Sequence, residues 1–333
     1  MAVGLDIGTS FIVASRFDEG GKVQYREIRD AFLAMKPKTA INRKMIEGGL
    51  QRRKAVYLEQ DGTLFVVGQD AIEMANERNE VARRPMSRGV VNPNEQEALP
   101  ILKFILKEIV GSPTGETENL CYCVPANPVD ANFDMGYHQD VLNNYLNSLG
   151  YKVSVINEAE AIGYSQLLDD GLTGITLSFG AGMVNTAVLS AGDPVVKFST
   201  ARSGDWIDEM AGQASGNTPT IVQSEKEGDG GVDLLNPKNP IQEAITIYYK
   251  RLIAYVLENI ALSLRDSDKL PSFKEPIPIV IAGGTSQAKN FLKVFEEELS
   301  KIDFPVKVKE VRHAKDPLHA VSEGCLLAAQ AAE

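Results

Sequence analysis

The sequence predicts an α/β protein built from two similar lobes with a cleft between them. Each half opens on the same pattern, in which two apolar strands flank a glycine-bearing turn: "AVGLDIGTSFIVAS" at 2–15 and "GITLSFGAGMVNTAVLS" at 174–190. Strands and amphipathic helices then alternate in both halves, which is typical of mixed α/β proteins. The chain has 333 residues, which is enough for two ordinary domains.

The elements of the first half follow from hydrophobic spacing and turn residues. Strands are predicted at 22–28 and in the hairpin "KAVYLEQDGTLFVVG", which turns at Asp61 and Gly62. The segment between them, "KPKTAINRKMIEGGLQRR", is basic and polar and is predicted to be a loop. Pro100 is expected to bend the helix at 94–111 or to mark its start. The other predicted elements are a helix at 69–78, a strand at 118–127, a helix at 135–150, a strand at 151–157 and a helix at 158–170.

The second half repeats this alternation after its opening hairpin. The predicted elements are strands at 193–202, 277–284 and 306–311, and helices at 205–213, 241–265, 286–301 and 317–330. A polar segment rich in turn residues, at 216–240, separates two of these helices.

Charge and hydropathy exclude several classes of function. The formal net charge is -11, which disfavours nonspecific binding to nucleic acid or to anionic lipid. No apolar run reaches the roughly 18–20 residues of a membrane span. The first residues, "MAVGLDIGTSF", show neither the basic region nor the cleavage pattern of a secretory leader, and they contain no amphipathic anchor. We therefore expect a cytoplasmic protein without a membrane anchor.

The cysteines and histidines do not suggest a disulfide framework or a zinc site. The three cysteines are Cys121, Cys123 and Cys325. A sparse, odd set fits a reducing cytoplasm, and two cysteines on one face of an apolar strand read as core residues. The three histidines, His138, His313 and His319, lack zinc spacing, and His319 is expected to be structural.

Three glycine-bearing turns follow three buried strands and carry the chemistry. They are "DIGTS" at 6–10, "SFGAG" at 178–182 and "IAGGTS" at 281–286. Two matching hairpins facing each other across a cleft can offer backbone N–H groups to phosphates. The third turn feeds a helix N-terminus, so a ligand can lie against backbone that has no side chain. Asp6, in the first turn, suits a magnesium ion held largely through water.

The order of these motifs resembles the actin and heat-shock-chaperone ATPase superfamily over nearly the whole chain. "GLDIGTS" and "LSFGAGMVNTAV" resemble its two phosphate loops, and "IVIAGGTS" its adenosine loop. "INEAEAIGYS" and "DPLHAVSEGCLLAA" resemble its two connecting helices. The stretch "VVGQDAIEMANERNEVARRPMSRGVV", followed by "CYCVPAN", is similar to the small first-lobe subdomain of bacterial actins of the MreB and MamK kind. FtsA-like proteins place a different subdomain there and fit less well.

The resemblance implies a two-lobed actin-like fold, made of duplicated ribonuclease-H-like lobes with a central nucleotide cleft. Lobe I would span 1–165, with a small subdomain at about 30–95, and would be completed by a C-terminal helix at 316–333. Lobe II would span 166–315. Its small subdomain is expected to be reduced to about one helix and a loop, because the segment at 216–240 holds no clear β-hairpin.

The resemblance also assigns roles to individual residues. Asp6 would organise magnesium, and Glu158 would orient the attacking water, as in other phosphoryl-transfer sites. The residues that would hold the nucleotide are Gly8, Thr9, Ser10, Gly180, Ala181, Gly182, Met183, Lys226, Glu227, Gly283, Gly284 and Thr285. Lys226 and Glu227 would contact the nucleoside, although both also fit a solvated loop, and Glu158 also fits an ordinary acid at a helix start.

The second phosphate loop departs from the family pattern at its first position. Ser178 stands where the family usually has Asp, Met183 where Thr is common, and Asn185 where a later acid or histidine is common. The turn keeps the glycines that bind phosphate through the backbone. It lacks the carboxylate that would help to hold magnesium and its water, since serine can hydrogen-bond a water but brings no charge. These departures are therefore expected to affect nucleotide binding less than nucleotide hydrolysis.

We interpret the sequence as an actin-like cytoskeletal ATPase that binds ATP or ADP with Mg²⁺ and forms nucleotide-regulated head-to-tail homopolymers, with slow hydrolysis. The basic segment at 36–53, with Arg43, Lys44, Arg52 and Arg53, is the expected contact with the second-lobe body of another copy. The alternatives are a non-polymerising nucleotide switch, adaptor or pseudo-ATPase scaffold, and a small-molecule kinase of the same fold. A cargo or adaptor protein would be a further partner.

Overall fold

The computed structural model describes residues 2–115, 118–133, 135–228, 230–267 and 271–332. In the first half the strands and helices are β1 (Ala2–Ile7), β2 (Phe11–Phe17), β3 (Val23–Arg29), β4 (Phe32–Met35), α1 (Ala40–Arg53), β5 (Tyr57–Gln60), β6 (Thr63–Val67), α2 (Gln69–Glu77), β7 (Met86–Ser87), β8 (Val90–Val91), α3 (Ala98–Val110), β9 (Glu118–Val124), α4 (Met135–Ser148), β10 (Tyr151–Asn157) and α5 (Glu158–Gln166).

The second half begins after a 3-10 turn at Leu168–Asp170. Its strands and helices are β11 (Gly174–Phe179), β12 (Val184–Ser190), β13 (Asp193–Thr200), α6 (Gly204–Ser215), α7 (Pro219–Glu227), α8 (Pro240–Arg265), β14 (Ile277–Ala282), α9 (Phe291–Leu299), β15 (Val308–His313) and α10 (Ala320–Ala331).

The two large sheets have the same strand order. The first sheet is β3-β2-β1-β9-β10 and the second is β13-β12-β11-β14-β15. In each, the central strand pairs antiparallel with the strand that follows its glycine turn and parallel with its other neighbour. Together with the helices, this confirms the predicted two-lobed α/β architecture. A three-stranded sheet, β4-β6-β5, forms the core of the small first-lobe subdomain.

Helices α5 and α10 pack where the two lobes meet. Buried apolar side chains from both helices join those of β9 and β14 in one cluster. A Cβ atom on Gly324 would lie 1.8 Å from the carbonyl oxygen of Ala161, so the two helices cross in direct backbone contact. A Cβ atom on Gly4 would lie 2.1 Å from the carbonyl oxygen of Ser322, so α10 also lies directly on β1. The C-terminal helix thus packs on both α5 and the first sheet.

The predicted loop at 36–53 is wrong, because this segment contains helix α1. Thr39 caps the helix by accepting a hydrogen bond from the Asn42 amide at 3.1 Å. The helix ends at Lys54, which adopts a left-handed conformation with φ 56°. Only Leu50 is buried, so the helix lacks the apolar periodicity from which helices are recognised in sequence. Caps and surface ion pairs stabilise it instead.

Three other sequence predictions rested on Gly, Pro and turn residues. The hairpin does turn at Asp61 and Gly62, with φ of 50° and 73°. Pro100 lies in the first turn of α3, where the missing N–H costs nothing. The turn-rich segment at 216–240 contains α7, which begins at Pro219 after the capping residue Thr218. Between α6 and α8, the described residues include no strand of either large sheet, as expected for a reduced subdomain. None of the described helices is long and apolar enough to cross a membrane.

Candidate functional site

A cavity of about 390 Å³ lies between the two lobes, at the ends of β1, β11 and β14. Every residue predicted for the site lines it. These residues are Asp6, Gly8, Thr9, Ser10, Glu158, Ser178, Gly180, Ala181, Gly182, Met183, Lys226, Glu227, Gly283, Gly284 and Thr285. The fold thus brings the three glycine turns and the start of α5 to one place, while the roles of the individual residues stay predictions.

The two hairpin turns match each other in detail. In the first turn (8–11), the Gly8 amide donates to the Phe11 carbonyl at 3.0 Å. In the second turn (180–183), the Gly180 amide donates to the Met183 carbonyl at 3.0 Å. The flanking registers also agree, since Asp6 pairs with Val13 and Ser178 pairs with Asn185. Ser178 therefore occupies in the second lobe the position that Asp6 occupies in the first.

The second turn lies directly against the first lobe. A Cβ atom on Gly182 would lie 2.3 Å from Thr9 Oγ1 and 2.7 Å from the Gly89 amide nitrogen. That amide itself donates to Thr9 Oγ1 at 3.0 Å. A side chain at 182 would therefore force the lobes apart, which explains why glycine is needed there. Met183 packs against Gly89, which lies between β7 and β8, since a Cβ atom on Gly89 would lie 2.7 Å from the Met183 sulfur.

Glu158 is the first residue of α5, and hydrogen bonds from the second lobe hold its side chain in place. Its helix is capped by Asn157, whose side-chain oxygen accepts from the Ala159 amide at 3.0 Å. Ser178 Oγ donates to Glu158 Oε1 at 2.5 Å, and Asn185 Nδ2 donates to Oε2 at 2.7 Å. Asn185 thus contacts a residue of the cavity wall, although the sequence singled it out only as a departure from a pattern. Its position opposite Ser178 in the register was the signal that could have identified it.

Asp6 and Glu158, two of the carboxyl groups that line the cavity, disfavour being charged together. Burial raises the pKa of Glu158 to about 8, the charge of Asp6 adds to this, and the hydrogen bond from Ser178 opposes it. Burial also raises the pKa of Asp6 to about 6, against a hydrogen bond from the Cys123 thiol to Oδ1 at 3.3 Å. A bound cation would favour the charged form of both groups.

This donor set fits magnesium held mainly by water and phosphate. No group of three His, Cys, Asp or Glu side chains that could hold a metal ion is found within the part of the chain that the structure describes. Mg²⁺ commonly binds through one or two carboxylates, with waters and substrate phosphates completing its shell. Asp6, which lies beside the first turn, is the carboxylate that the sequence predicts for that role.

Lys226 and Glu227 lie in the last turn of α7, not in a loop as the sequence suggested. Lys226 Nζ lies 2.7 Å from the Asp208 carboxylate, and both side chains are almost fully buried. The ammonium group is therefore already paired within the second lobe. Glu227 instead accepts from Arg29 of the first lobe at 3.2 Å, which makes an ion pair across the cleft.

The third glycine turn packs against the backbone of the second turn. A Cβ atom on Gly283, which has φ 91°, would lie 2.4 Å from the Phe179 carbonyl oxygen. Thr285 Oγ1 donates to the Gly180 carbonyl at 2.9 Å. The turn leads into a 3-10 segment, Gly284–Gln287, and α9 begins only at Phe291. The expected direct passage into a helix N-terminus is therefore wrong, because the 3-10 segment places the helix further along the chain.

Comparison with known proteins agrees with this architecture. The Volactin family profile matches residues 1–329. Among solved structures, the chain is similar to a MamK double helical filament (19% identity, TM-score 0.68, 99% of this chain and 98% of that one). It is similar to MreB 5 of Spiroplasma citri bound to AMPPNP (17%, 0.66, 99% and 96%). It is also similar to the ethanolamine utilization protein EutJ of Carboxydothermus hydrogenoformans (15%, 0.57, 98% and 88%).

A search of curated protein sequences finds no match. The structural matches, all below 25% identity, establish the fold. They confirm the predicted likeness to bacterial actins of the MreB and MamK kind. The family profile covers almost the entire chain, so the chain belongs to the Volactin family and has the two-lobed fold of the MamK and MreB structures.

Proposed function

We propose that the chain binds ATP with Mg²⁺ in the cleft, hydrolyses it slowly and assembles into filaments. The observation that carries this proposal is the pair of matched turns, one from each lobe, on the wall of one cavity. Backbone amides of such turns bind phosphate without side-chain help. Asp6 and Glu158 lie on the same wall, where a magnesium ion and an attacking water would be needed.

Two observations support a nucleotide as the ligand. The cavity volume of about 390 Å³ is in the range of ligand pockets. Similar solved structures include MreB 5 of Spiroplasma citri bound to AMPPNP and the related MreB5 bound to ADP. ADP would therefore be the second ligand, and a nucleotide touching both turns would hold the lobes at a defined angle.

Slow hydrolysis follows from the groups around Glu158. Ser178 and Asn185 hold both carboxylate oxygens of Glu158, so the group is well oriented to position a water. Neither residue brings a negative charge toward the metal. Asp6 alone would organise Mg²⁺ and its waters, so the rate is expected to be lower than in a site with two acids.

Filament assembly is supported by the neighbours and by the surface of α1. The MamK and AlfA structures are described as filaments. On α1, Ile41 and Met45 are 74% and 70% exposed, one helical turn apart. Lys44 and Arg52 have no side-chain partner within the described residues. We call Ile41, Lys44, Met45 and Arg52 the α1 surface, and we propose that it contacts the acidic α9 region of the next copy.

A non-polymerising switch or adaptor is the second candidate. It is favoured by the reduced tip of the second lobe, where the described residues between α6 and α8 hold α7 and turns. It is also favoured by ion pairs that already close the cleft, from Arg29 to Glu227 and from Arg84 to Asp205 at 3.1 Å. Such a protein would change its cleft angle with nucleotide but would present no complete pair of assembly surfaces.

Two measurements separate these candidates. Isothermal titration calorimetry of the full chain with Mg-ATP tests the cleft, and an absence of binding would exclude both candidates. Ultracentrifugation with ATP, with a nonhydrolysable analogue and without nucleotide then tests assembly, with negative-stain microscopy of the pellet. Nucleotide-dependent filaments support the first candidate. Nucleotide binding without pelleting at high protein concentration supports the second.

A further inference from the structure

A second cavity, of about 470 Å³, lies beside the first and opens between the small subdomain of lobe I and helices α6 and α7. We call it the outer chamber. Ser10, Arg29 and Glu227 line both cavities. Arg29 donates to Ser10 Oγ at 2.7 Å and pairs with Glu227 at 3.2 Å, so this ion pair stands at the boundary between the two spaces. The proposed nucleotide site leaves the outer chamber without an assigned role.

Asp30, on the wall of the outer chamber, has an unused hydrogen-bonding oxygen. The residue is 1% exposed and follows the edge strand β3. Its Oδ2 accepts from the Met86 amide at 2.9 Å, and its own amide donates to the Ser10 carbonyl at 3.0 Å. Its Oδ1 has no hydrogen-bond partner among the described residues. Buried polar atoms almost always have a partner, so this oxygen on a chamber-lining residue lacks a donor that the described residues do not supply.

The charges around the chamber favour a cationic ligand. Glu80 from lobe I and Glu209 from α6 line it, and both have side chains without a partner in the described part of the chain. Arg84, which lies near Asp30, is already neutralised by Asp205 at 3.1 Å. The carboxyl groups of Asp30, Glu80 and Glu209 therefore share one cavity, and the two arginines that the structure describes on its wall, Arg29 and Arg84, are already paired.

The chamber wall carries apolar side chains as well as acids, which bears on the kind of cation that it would bind. Ile72, Val81 and Pro219 line the chamber together with the acids. These acids come from separate elements, and no cluster of three metal-ligating side chains occurs in the ranges that the structure describes. Aliphatic polyamines carry ammonium groups separated by methylene chains. Such a ligand can place its charges at separate carboxylates while its methylenes cover the apolar wall.

We propose that the outer chamber binds an aliphatic polyamine, with one ammonium group at Asp30 Oδ1 and the others at Glu80 and Glu209. Because Glu80 belongs to lobe I and Glu209 to lobe II, the ligand bridges the two lobes. It thereby adds to the cross-lobe ion pairs that hold the cleft closed. This site goes beyond the proposed nucleotide binding and does not require it.

Binding of an ammonium group at Asp30 is expected to release a proton from its carboxyl group. Burial raises the pKa of Asp30 to about 8, while the Met86 amide and the charge of Arg84 oppose this. The carboxyl group is therefore largely protonated at pH 7, and an ammonium group that pairs with it displaces the proton. The other charged residues that line the chamber are Arg29, Glu80, Arg84, Asp205, Asp208, Glu209 and Glu227.

The test is calorimetry of the full chain with spermidine, without nucleotide, at pH 7 in two buffers of different ionisation enthalpy. We expect binding with proton release. Asp30→Asn keeps an acceptor for the Met86 amide, and it should weaken binding about tenfold or more and abolish the proton release. Glu80→Gln and Glu209→Gln should each weaken binding a few-fold. Glu243→Gln, an exposed acid on α8 outside the chamber, is the matched control and should bind like the wild type.

Three results would overturn the proposal. The first is an absence of spermidine binding by the wild type at millimolar concentration. The second is loss of affinity in Glu243→Gln equal to that in the chamber variants, which would show nonspecific attraction to an acidic protein. The third is binding of a lysine-rich peptide but not of spermidine, which would indicate a protein partner. If Asp30→Asn does not fold, the Glu80→Gln, Glu209→Gln double variant, altered only at exposed positions, decides the question. Since no nucleotide is present, failure of the ATP proposal would not affect this result.

Discussion

Ser178 Oγ donates a hydrogen bond to Glu158 Oε1, and the strand register places Ser178 at the position equivalent to Asp6 of the first lobe. The duplicated lobes therefore differ in charge at one matched position. In the first lobe the position carries a carboxylate, and in the second it carries a hydroxyl that holds a carboxylate from α5. The second lobe thus orients Glu158 through a hydrogen bond from Ser178, whereas the first lobe provides the carboxyl group of Asp6.

Glu158→Gln should slow ATP hydrolysis by about 100- to 10,000-fold, the usual contribution of a positioned proton acceptor. Gln keeps the acceptor for Ser178 but loses the carboxylate that would orient water. The affinity for Mg-ATP should change little, because phosphate binding is assigned to backbone amides. Rates from phosphate release and affinities from calorimetry would check this. An unchanged rate would show that Glu158 does not position the water.

Ser178→Asp should speed hydrolysis in the presence of Mg²⁺ and lower thermal stability without it. The new carboxylate would lie against Glu158, and like charges at that distance oppose each other unless a cation lies between them. Ser178→Asn, which is similar in shape and neutral, is the control. Hydrolysis rates and Tm with magnesium and with EDTA would test the pair. A Tm for Ser178→Asp that does not depend on magnesium would contradict this account.

Asp6→Ala should weaken Mg-ATP binding by about 10- to 100-fold, since a hydrogen bond to a charged group, such as one from a metal-bound water, is worth roughly 1.5–3 kcal/mol. The same substitution should affect ATP binding in EDTA much less, because its role is assigned to the metal. Titrations with and without magnesium measure the difference. Equal losses under both conditions would mean that Asp6 supports the turn instead of the ion.

The sequence predicted the cleft better than it predicted the surface around it. The glycine turns were recognisable because close backbone approach leaves no room for a side chain, as Gly182 and Gly283 show. Helix α1 was missed because its stability comes from the Thr39 cap and from ion pairs such as that of Arg43 with Glu47, not from a buried face. The boundaries of the lobes, at 165 and 316, stay a prediction.

Pairwise contacts across the cleft were not visible in the sequence. Arg29 and Glu227, or Arg84 and Asp205, are far apart along the chain and belong to no short motif. The role of Asn185 depends on the register that puts it beside Ser178, and register is set by the whole hairpin. Such relationships emerge only when two lobes are folded and packed together.

His138 should make the protein less stable in acid. Burial lowers the pKa of His138 to about 4, from 6.5 in the unfolded chain. Between these values the unfolded state binds more protons, so this contribution is complete above pH 6.5 and is lost as the pH falls toward 4. The loss amounts to about 3 kcal/mol.

The variant His138→Asn isolates this effect. Asn offers an acceptor for the Val91 amide, which donates to His138 Nδ1 at 3.2 Å, but it does not titrate. Urea unfolding at pH 7 and at pH 4 should show that the wild type loses about 3 kcal/mol more than the variant. Equal losses in the two proteins would mean that His138 is protonated over the same pH range in the folded and unfolded states. Burial would then not lower its pKa.

Charge reversal on α1 should separate assembly from nucleotide binding. Arg43 pairs with Glu47 and Glu59, and Arg53 pairs with Glu73 and Glu77, so reversing these two would disrupt the small subdomain itself. The informative variant is therefore Lys44→Glu with Arg52→Glu, which changes only side chains that have no partner in the described structure.

If α1 meets an acidic surface of the next copy, this double variant should no longer pellet with ATP while it binds Mg-ATP like the wild type. Wild-type assembly should also weaken as salt rises, because screening shortens the reach of exposed charges to about 10 Å at 0.1 M. Lys22→Glu with Arg26→Glu reverses the same number of exposed charges elsewhere in lobe I, and it should pellet normally. Pelleting of the α1 variant at wild-type protein concentration would exclude this helix as a contact. Loss of pelleting in both double variants would mean that assembly responds to net charge and not to this surface.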